Sequence, residues 1–454
     1  MATIGLELVD AALVAVRDGA RVATSPGVAL LDPQQLLVGE AAAAAARLRP
    51  VFATDRFWAD LAADSLAQAS GPPVSHADLA HAHLAQLWSA LSRPGDDVVL
   101  AVPGTMRLHQ IGLALGIARS IAMPVAGIVD AAVAACAVVP AHATVLHLDV
   151  QLHQAVLTEL HGASLLRRRR VDIAPRAGLK VMHGAWAQLV SEAMVRRTRF
   201  DPLHQAAAEQ QLYQRLPGWL DVLATQDAID VTIEADAGSF TATLRREQFA
   251  LAAEAWYAQL IELVHAGRHA GEFATLALSS RAAALPALRE RLAALGDIEL
   301  ITLPDTAAAA AAAARAGEIA TGATPALVTA LQRSQPVAAT GGRMPRSRGA
   351  SCPTHVILDG HAHAIGEHPL VLGLGEDDPA LAAGRWLVLT GPAAGISHSH
   401  CTLMRRGGSV VVRDHSRYGT FVNGERVEGE AAVGAGDWLR IGTPGIVLEL
   451  VAVT

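Results

Sequence analysis

The chain has 454 residues and a formal net charge of −7, and 52% of its residues are hydrophobic although only 4% are aromatic. The mildly negative charge excludes the basic field that a nucleic-acid-binding protein needs. The most apolar stretch, residues 126–148, is interrupted by Asp130 and Pro140, which excludes a membrane span. Three widely spaced cysteines and a start without a secretion signal favour a reducing cytoplasm.

Strand-like apolar runs alternate with helix-like stretches through the first two thirds of the chain. The runs are 98–102, 124–129 and 145–149, and the helix-like stretches are 107–122, 131–138 and the Ala-rich 307–316. Buried strands that alternate with amphipathic helices are typical of an α/β fold. We therefore expect a large α/β domain over residues 1–318.

The order of landmarks in this region resembles the ATPase domain of the seventy-kilodalton heat-shock chaperones, which belongs to the actin and sugar-kinase superfamily. The matching segments are 4–8, 25–41, 98–103, 128–135, 145–149 and 276–281. The resemblance implies an actin-like, two-lobed fold of the ribonuclease-H type with an ATP site between the lobes.

The phosphate-binding loops of that superfamily are Gly-rich, because a residue without Cβ lets backbone amides close on phosphate oxygens. Here the first loop has Val9 and Asp10, the second has Gln151 and Leu152, and the third has 277–278, an Ala-Leu pair. The added bulk and the charge of Asp10 predict a pseudo-ATPase, which binds no cofactor and is not an enzyme.

Several polar residues remain at positions of the degenerate nucleotide site. They are Glu7, Asp10, Asp130, Asp149, Ser279, Ser280 and Arg281. Carboxylates among them can hold a hydrated Mg²⁺. One alternative is therefore a divergent ATPase that uses ATP and Mg²⁺, and the other is that these residues are structural or solvated remnants.

Two further patterns contain side chains that can bind an anion or a metal ion. The four arginines of residues 167–170 follow an apolar run, which indicates a solvated strand end or hairpin rim, or else a docking site for an acidic or phosphorylated partner. Three His-x-His pairs lack the companion ligands of a metal centre, so we expect no metal site.

The composition changes after the Ala-rich stretch. Residues 319–352 contain Gly322, Pro325, Pro336 and a Gly-Gly pair, which is typical of a flexible linker. No β-rich peptide-clamping domain of the chaperone kind follows it. We expect residues 353–454 to form a separate domain.

Short β-rich runs bounded by Gly, Asp or Pro fill this last segment, at 354–358, 409–412, 420–422 and 438–441. Such runs predict an all-β sandwich. Asn423 and Gly424 fit a two-residue hairpin turn, because both positions of a type I′ turn need positive φ.

Residues 395–424 contain Ser397-x-x-His400 and Gly419-Thr420-x-x-Asn423-Gly424. These signatures resemble those of a forkhead-associated (FHA) domain, which implies a β-sandwich whose apical loops hold a phosphothreonine peptide. The resemblance implies that His400 ties its loop to the sandwich. It also gives structural roles to Gly373, Gly419, Thr420, Asn423 and Gly424.

A phosphothreonine needs a hydroxyl or amide donor and usually a guanidinium. Ser397 supplies the hydroxyl, but the Arg expected after Gly373 is Leu374, and the Asn expected before Gly419 is Tyr418. The predicted phosphopeptide contacts are Ser397, His398, Arg417 and Tyr418, with Arg385 as a further replacement for the missing cation. The alternative is a sandwich that binds a protein without phosphate.

The sequence therefore favours a cytoplasmic, bacterial signalling adaptor over an enzyme. The C-terminal domain is expected to capture a phosphorylated or structurally matched protein partner, and the actin-like body to provide a second docking surface. The alternatives are the divergent ATPase regulated by, or signalling through, the C-terminal domain, and an assembly scaffold that needs neither phosphate nor nucleotide.

Overall fold

The computed structural model describes residues 2–32, 35–64, 74–139, 142–268, 274–295, 298–320, 322, 325–334, 352–358, 361–375, 384–389, 396–417, 419–422, 425–442 and 446–452. The chain divides into two compact units, residues 1–338 and 339–454. We call the first the large unit and the second the sandwich unit.

A six-stranded mixed sheet forms the first half of the large unit. Its strands are β1 (Thr3–Leu8), β2 (Ala12–Arg17), β3 (Ala20–Pro26), β7 (Asp97–Val102), β8 (Val125–Asp130) and β16 (Leu327–Val328). Their order is β16-β8-β7-β1-β2-β3. The first three strands are antiparallel neighbours, whereas β7 and β8 run parallel to β1.

The second half contains another six-stranded sheet with the same scheme. Its strands are β9 (Thr144–Val150), β10 (Ala155–His161), β11 (Leu165–Ala174), β14 (Ala274–Leu278), β15 (Ile298–Thr302) and β17 (Ala330–Gln332), in the order β15-β14-β9-β10-β11-β17. Again three antiparallel strands come first, and two strands parallel to the first of them follow. The large unit thus contains one topology twice.

Part of the predicted linker belongs to these sheets. Strand β16 pairs with β8, and β17 pairs with β11. Both lie inside residues 319–352, where the Gly and Pro content predicted a linker although short apolar runs are present. The linker prediction is therefore wrong for these two strands, which gain backbone hydrogen bonds at sheet edges. Most of the rest of that segment lies outside the described residues.

Helices and small sheets complete the large unit. The α-helices are α1 (Glu40–Ala43), α2 (His76–Leu91), α3 (Leu108–Ser120), α4 (Ala131–Ala137), α5 (Leu179–Thr198), α6 (Ala206–Leu223), α7 (Arg246–Ala252), α8 (Glu254–Gly267), α9 (Ser280–Ala283), α10 (Leu288–Ala293), α11 (Ala307–Ala314) and α12 (Ala316–Ile319). Short 3₁₀ turns cover Pro50–Phe52 and Pro202–His204. The small sheets consist of β4 (Ala29–Asp32), β5 (Gln35–Val38) and β6 (Ala53–Thr54), and of β12 (Ala228–Ala235) with β13 (Gly238–Arg245).

Alanine allows two helices to pack closely between the sheets. One hydrophobic core combines α4 and α11 with Val99 of the first sheet and with Val145 of the second. At Gly5 of β1, an added Cβ would lie 1.8 Å from the carbonyl oxygen of Ala309 in α11. This close approach requires the glycine in β1 and the alanines of α11 that face it.

The sandwich unit contains two antiparallel-rich sheets. One has the order β19-β18-β28-β27-β24-β25 and the other β21-β20-β22-β23-β26. The strands are β18 (His355–Leu358), β19 (His361–Ala364), β20 (Leu370–Gly373), β21 (Arg385–Val388), β22 (Cys401–Arg406), β23 (Ser409–Asp414), β24 (Thr420–Val422), β25 (Glu425–Arg426), β26 (Glu430–Val433), β27 (Trp438–Ile441) and β28 (Ile446–Val451). Their inward residues form one hydrophobic core, so the predicted all-β sandwich is confirmed.

Strand register brings three loops to one edge of the sandwich. Leu372 pairs with Cys401, so the end of β20 meets the beginning of β22. Cys401 also pairs with Asp414, the last residue of β23. The residues that follow β20, precede β22 and follow β23 are therefore neighbours.

Candidate functional site

His400 connects two of the three loops at this edge. Its Nδ1 accepts a hydrogen bond from the backbone N–H of Ser397 at 3.0 Å, and its Nε2 lies 3.1 Å from the carbonyl oxygen of Gly419. The side chain is buried, and burial lowers the pKa of His400 although the Gly419 carbonyl acts in the opposite direction. A neutral imidazole protonated on Nε2 satisfies both contacts.

Ser397 presents its hydroxyl at the junction of these loops. Its Oγ accepts a hydrogen bond from the backbone N–H of Arg417 at 3.3 Å. Since this contact uses a lone pair, the hydroxyl hydrogen remains able to donate to a ligand. Ser397 is half-buried and Arg417 is exposed, so an incoming group can reach both.

A set of short hydrogen bonds holds the loop after β23. Asp414 accepts from the Ser416 N–H at 3.0 Å and from the Thr420 hydroxyl at 2.8 Å, and the Ser416 hydroxyl accepts from the Gly419 N–H at 2.7 Å. Partial burial raises the pKa of Asp414, but these hydrogen bonds outweigh it and hold the pKa below its usual range. These hydrogen bonds therefore join the beginning of the loop, at Asp414 and Ser416, to its end at Gly419 and Thr420.

The loop after β20 contributes backbone and no cation. A Cβ at Gly373 would lie 1.8 Å from the carbonyl oxygen of His398, so glycine permits this close approach. Leu374 N–H donates to the Ser397 carbonyl at 3.2 Å, and the Leu374 side chain packs against the sandwich core. The exposed His398 imidazole lies against Gly375, where a Cβ would come within 2.4 Å of Nδ1.

Arg385 does not join these loops, which contradicts its predicted role. It pairs with Leu370 at the start of β20, whereas Gly373 at the end of β20 pairs with Val388. Three residues of strand separate the two positions by about 10 Å. The Arg385 Nη1 donates instead to the Ala364 carbonyl at 3.2 Å.

Some predicted site residues cannot be placed. Tyr418, Asn423 and Gly424 lie outside the described residues. The strands on either side of the predicted turn do pair, with Val422 opposite Glu425. This is the register of a hairpin with a two-residue connection.

Arg426 lies beside the same loops and was missed by the sequence reasoning. A Cβ at Gly419 would lie 3.0 Å from Arg426 Nε and 3.4 Å from Cζ. The hairpin register contained the necessary signal. With a two-residue Asn-Gly connection at 423–424, the second residue before it, Phe421, is opposite the second residue after it, Arg426.

In the large unit, Arg281 lies between two of the predicted acids. Its Nε and Nη2 donate to the two oxygens of Asp149 at 3.0 and 3.1 Å, and Nη2 also donates to Glu7 at 2.9 Å. Burial raises the pKa of Glu7, which the single contact with Arg281 offsets only in part. Burial also acts on Asp149, but the two-point contact with Arg281 lowers its pKa.

Asp10 occupies the amides of the loop after β9. Its two carboxylate oxygens accept from the backbone N–H groups of Leu152 and His153 at 2.9 and 3.2 Å. Burial raises the pKa of Asp10, and the two amides act against this shift. A carboxyl side chain of the protein thus occupies two backbone amides of this loop.

The other predicted residues also have partners within the fold. Asp130 accepts from the Val133 N–H at 3.1 Å and from Arg168 at 2.7 Å. The Ser279 hydroxyl accepts from the Ala282 N–H and caps the N-terminus of α9, whose first residue is Ser280. Within the described part of the chain, no group of three His, Cys, Asp or Glu residues could hold a metal ion.

Two cavities lie near these residues. The first, of about 30 Å³, is bordered by Glu7, Asp149, Ser280 and Arg281. Small-molecule sites usually have 300–1,000 Å³, and about 30 Å³ is the volume of one water in the liquid. The second, of about 400 Å³, is bordered by Asp10 but not by Glu7 or Asp149.

The basic cluster lies inside β11 and not beyond the end of a strand. Arg168 pairs with Asp130 at 2.7 Å, and Arg170 pairs with Asp172 at 2.8 Å. Arg168 and Arg170 therefore have ion-pair partners within the fold. Among the described helices, none combines the length and apolar composition required to cross a bilayer.

Comparison with known proteins identifies the C-terminal segment. Residues 385–442 match the family model described as FHA domain. The match extends from β21 to the end of β27 and includes Ser397, His400 and the loop after β23, so the predicted FHA domain is confirmed. It covers roughly one eighth of the chain. None of the curated proteins compared with the chain matches it.

Proposed function

Because residues 385–442 form an FHA domain, we propose that this protein is a non-catalytic signalling adaptor that binds a phosphothreonine-containing protein partner. The single observation that carries the proposal is the position of the Ser397 hydroxyl. It lies between the loops that precede β22 and follow β23, and its lone pair is already engaged by Arg417 N–H.

The chemistry of the site suits a phosphate monoester. A phosphothreonine carries a charge of about −2 and three strong acceptor oxygens. Ser397 offers a hydroxyl donor, and the exposed side chains of His398 and Arg417 offer nitrogen donors nearby. The hydrogen bonds of His400 and Asp414 fix the loop shapes in advance, which reduces the entropy lost on binding.

We further propose that the large unit is an actin-like domain that binds no nucleotide and serves as a second docking surface. The repeated sheet topology supports the fold assignment. Arg281 forms ion pairs with both Glu7 and Asp149, and Asp10 fills the amides that a phosphate would need. The cavity beside these acids, about 30 Å³, is too small for a triphosphate.

The alternative, a divergent ATP-binding protein, has one observation in its favour. The cavity of about 400 Å³ beside Asp10 is within the size range of small-molecule sites. Thermal unfolding of the full chain with millimolar Mg-ATP distinguishes the two. A ligand at 100 times its dissociation constant adds about 2.7 kcal/mol of stability. The adaptor proposal predicts no shift, and a saturable rise in Tm would support the ATP-binding alternative.

The adaptor role is tested by affinity capture with the full chain and its Ser397→Ala variant. Extracts are divided, and one half is treated with a phosphatase before capture. We expect partners that are retained by the wild-type chain, lost after phosphatase treatment and lost with Ser397→Ala. Equal capture from both halves would contradict a phosphate-dependent adaptor and favour the phosphate-independent scaffold.

A further inference from the structure

The Arg426 side chain packs on the backbone of Gly419. Gly419 is buried and has φ +87°, and an added Cβ there would lie 3.0 Å from Arg426 Nε and 3.3 Å from Phe421 Cε2. Phe421 and Arg426 are directly opposite each other in the β24–β25 pair, so their side chains share one face of the sheet. The positive φ favours glycine at this position.

The same Gly419 backbone connects Arg426 to the Ser397 loop. The Gly419 carbonyl contacts His400 Nε2, and His400 Nδ1 accepts from Ser397 N–H. Two residues earlier in the chain, Arg417 N–H donates to the Ser397 hydroxyl. Backbone atoms of one loop therefore contact both side chains: Gly419 contacts Arg426, and Arg417 N–H contacts the Ser397 hydroxyl.

The charge of Arg426 is not used within the described part of the fold. Four other described arginines of the sandwich unit have partners there: Arg406 and Arg413 pair with Glu430, Arg405 donates to the Ile365 and Pro353 carbonyls, and Arg440 donates to the Gly442 carbonyl. No carboxylate among the described residues lies within ion-pair distance of Arg426. Arg426 is also exposed, so its guanidinium is accessible to a ligand.

We infer that Arg426 supplies the cation that binds the phosphate of a phosphothreonine peptide, in place of an arginine at position 374. This inference rests on the proposed phosphothreonine-binding function. Leu374 packs against the core and carries no charge, so the loop after β20 cannot neutralise a phosphate. A guanidinium can contact two phosphate oxygens at once, and Arg426 approaches from the β24–β25 side of the loops.

Arg440 is a less suitable candidate for this role. It pairs with Phe421 from the other neighbouring strand, β27, and its Cζ lies 3.8 Å from the centre of the Phe421 ring. Its Nη1 also donates to the Gly442 carbonyl at 2.8 Å. Phe421 thus lies between two arginines, and Arg426 is the one whose Nε would come within 3.0 Å of a Cβ at Gly419.

Anisotropy titrations with the full chain test the inference. The probes are fluorescein-labelled degenerate peptide libraries that differ only in a fixed central phosphothreonine, threonine or glutamate. The variants are Arg426→Gln, Arg426→Lys and Arg406→Gln. The last is the matched control, because it removes the same charge from an exposed arginine about 17 Å along β22 from Cys401.

We expect Arg426→Gln to weaken binding of the phosphothreonine library by about tenfold or more, and to leave binding of the threonine library unchanged. Arg426→Lys keeps the charge and is expected to give an intermediate affinity, and Arg406→Gln to stay within about twofold of the wild type. Thermal unfolding of each variant reports whether the sandwich remains folded.

The possible failures are distinguishable. Equal losses for Arg426→Gln and Arg406→Gln, or no loss for Arg426→Gln, would overturn the assignment of Arg426 while leaving the proposed function intact. The assignment would also be contradicted if Arg426→Lys bound the phosphothreonine library no more tightly than Arg426→Gln. This holds even when both variants are less stable than the wild type. A wild-type chain that binds all three libraries equally would overturn the proposed function and this inference together.

Discussion

Arg281 and Asp149 form a two-point ion pair in the large unit, with Nε 3.0 Å from Oδ1 and Nη2 3.1 Å from Oδ2. The same guanidinium reaches Glu7, so one cation contacts two buried acids. Carboxylates of this kind could otherwise attract a hydrated Mg²⁺. Here a side chain of the protein itself offsets part of their charge.

Replacing Arg281 should therefore destabilise the large unit strongly. Arg281→Gln leaves two buried carboxylates without a cation, and we expect the free energy of unfolding to fall by about 3–5 kcal/mol at pH 7. Urea unfolding followed by circular dichroism measures this loss. The difference in stability between the variant and the wild type should shrink as the pH is lowered toward 5. In the variant, Glu7 and Asp149 no longer have a cation and can then bind protons.

The control for that prediction is Arg291→Gln. Arg291 pairs with Glu254, and the two side chains are 29% and 53% exposed, so the loss should stay below about 1 kcal/mol. Equal losses for both variants would show that Arg281 has no special role in neutralising the buried acids.

Removing the Asp10 carboxylate should lower the stability of the large unit, because this side chain accepts hydrogen bonds from two backbone amides of the loop after β9. Asp10→Ala leaves the part-buried N–H groups of Leu152 and His153 without their acceptor, and we expect a total loss of about 1–3 kcal/mol. Asp10→Asn keeps one acceptor oxygen and should cost less. Urea unfolding of both variants tests this order, and an Asp10→Ala variant as stable as the wild type would contradict it.

The stability of the large unit should fall in weak acid because of His83. This buried imidazole accepts from Trp58 Nε1 at 3.0 Å and lies 2.6 Å from the Ser25 hydroxyl, and burial lowers the pKa of His83 to about 4. Between pH 6.5 and about 4 the unfolded chain binds a proton there that the native state does not. Stability therefore decreases as the pH falls through this window, by up to about 3 kcal/mol from this group.

Unfolding in urea at pH values from 7 to 4.5 measures the effect. His83→Gln should be less stable than the wild type at pH 7 but should lose less stability on acidification. Identical pH profiles for the two proteins would remove His83 as the cause.

The sandwich should depend on Gly373 but not on Gly366. A Cβ at Gly373 would lie 1.8 Å from the His398 carbonyl oxygen, so Gly373→Ala must displace the loop that carries Ser397. We expect a cost of about 1–3 kcal/mol and weaker peptide binding. At Gly366 an added Cβ meets nothing within 4 Å, so Gly366→Ala is the control. Thermal unfolding of the two variants compares them, and equal midpoints would contradict the close approach.

Local patterns predicted the elements better than the contacts between them. The apolar runs at 98–102 and 145–149 and the helix-like stretch at 131–138 correspond to β7, β9 and α4. The partners of Asp10 are 142 and 143 residues away, and Glu7 lies 274 residues from Arg281. Periodicity carries no information about such distant pairings. Only the family resemblance predicted that these residues belong to one site.

The same distinction explains the outcomes in the sandwich unit. The Ser397 and His400 motif is local and fell within the matched FHA segment. The placement of Arg385 depends on the parallel pairing of β20 with β21, which motif spacing does not encode. Arg426 was predictable from the hairpin register, which places it opposite Phe421.

The most direct test of the account is the affinity of the full chain for the phosphothreonine library relative to the threonine library, measured for the wild type and Ser397→Ala. We predict that the wild type prefers the phosphorylated library by about tenfold or more and that Ser397→Ala loses most of this preference. Equal affinities of the wild type for the two libraries would contradict the account.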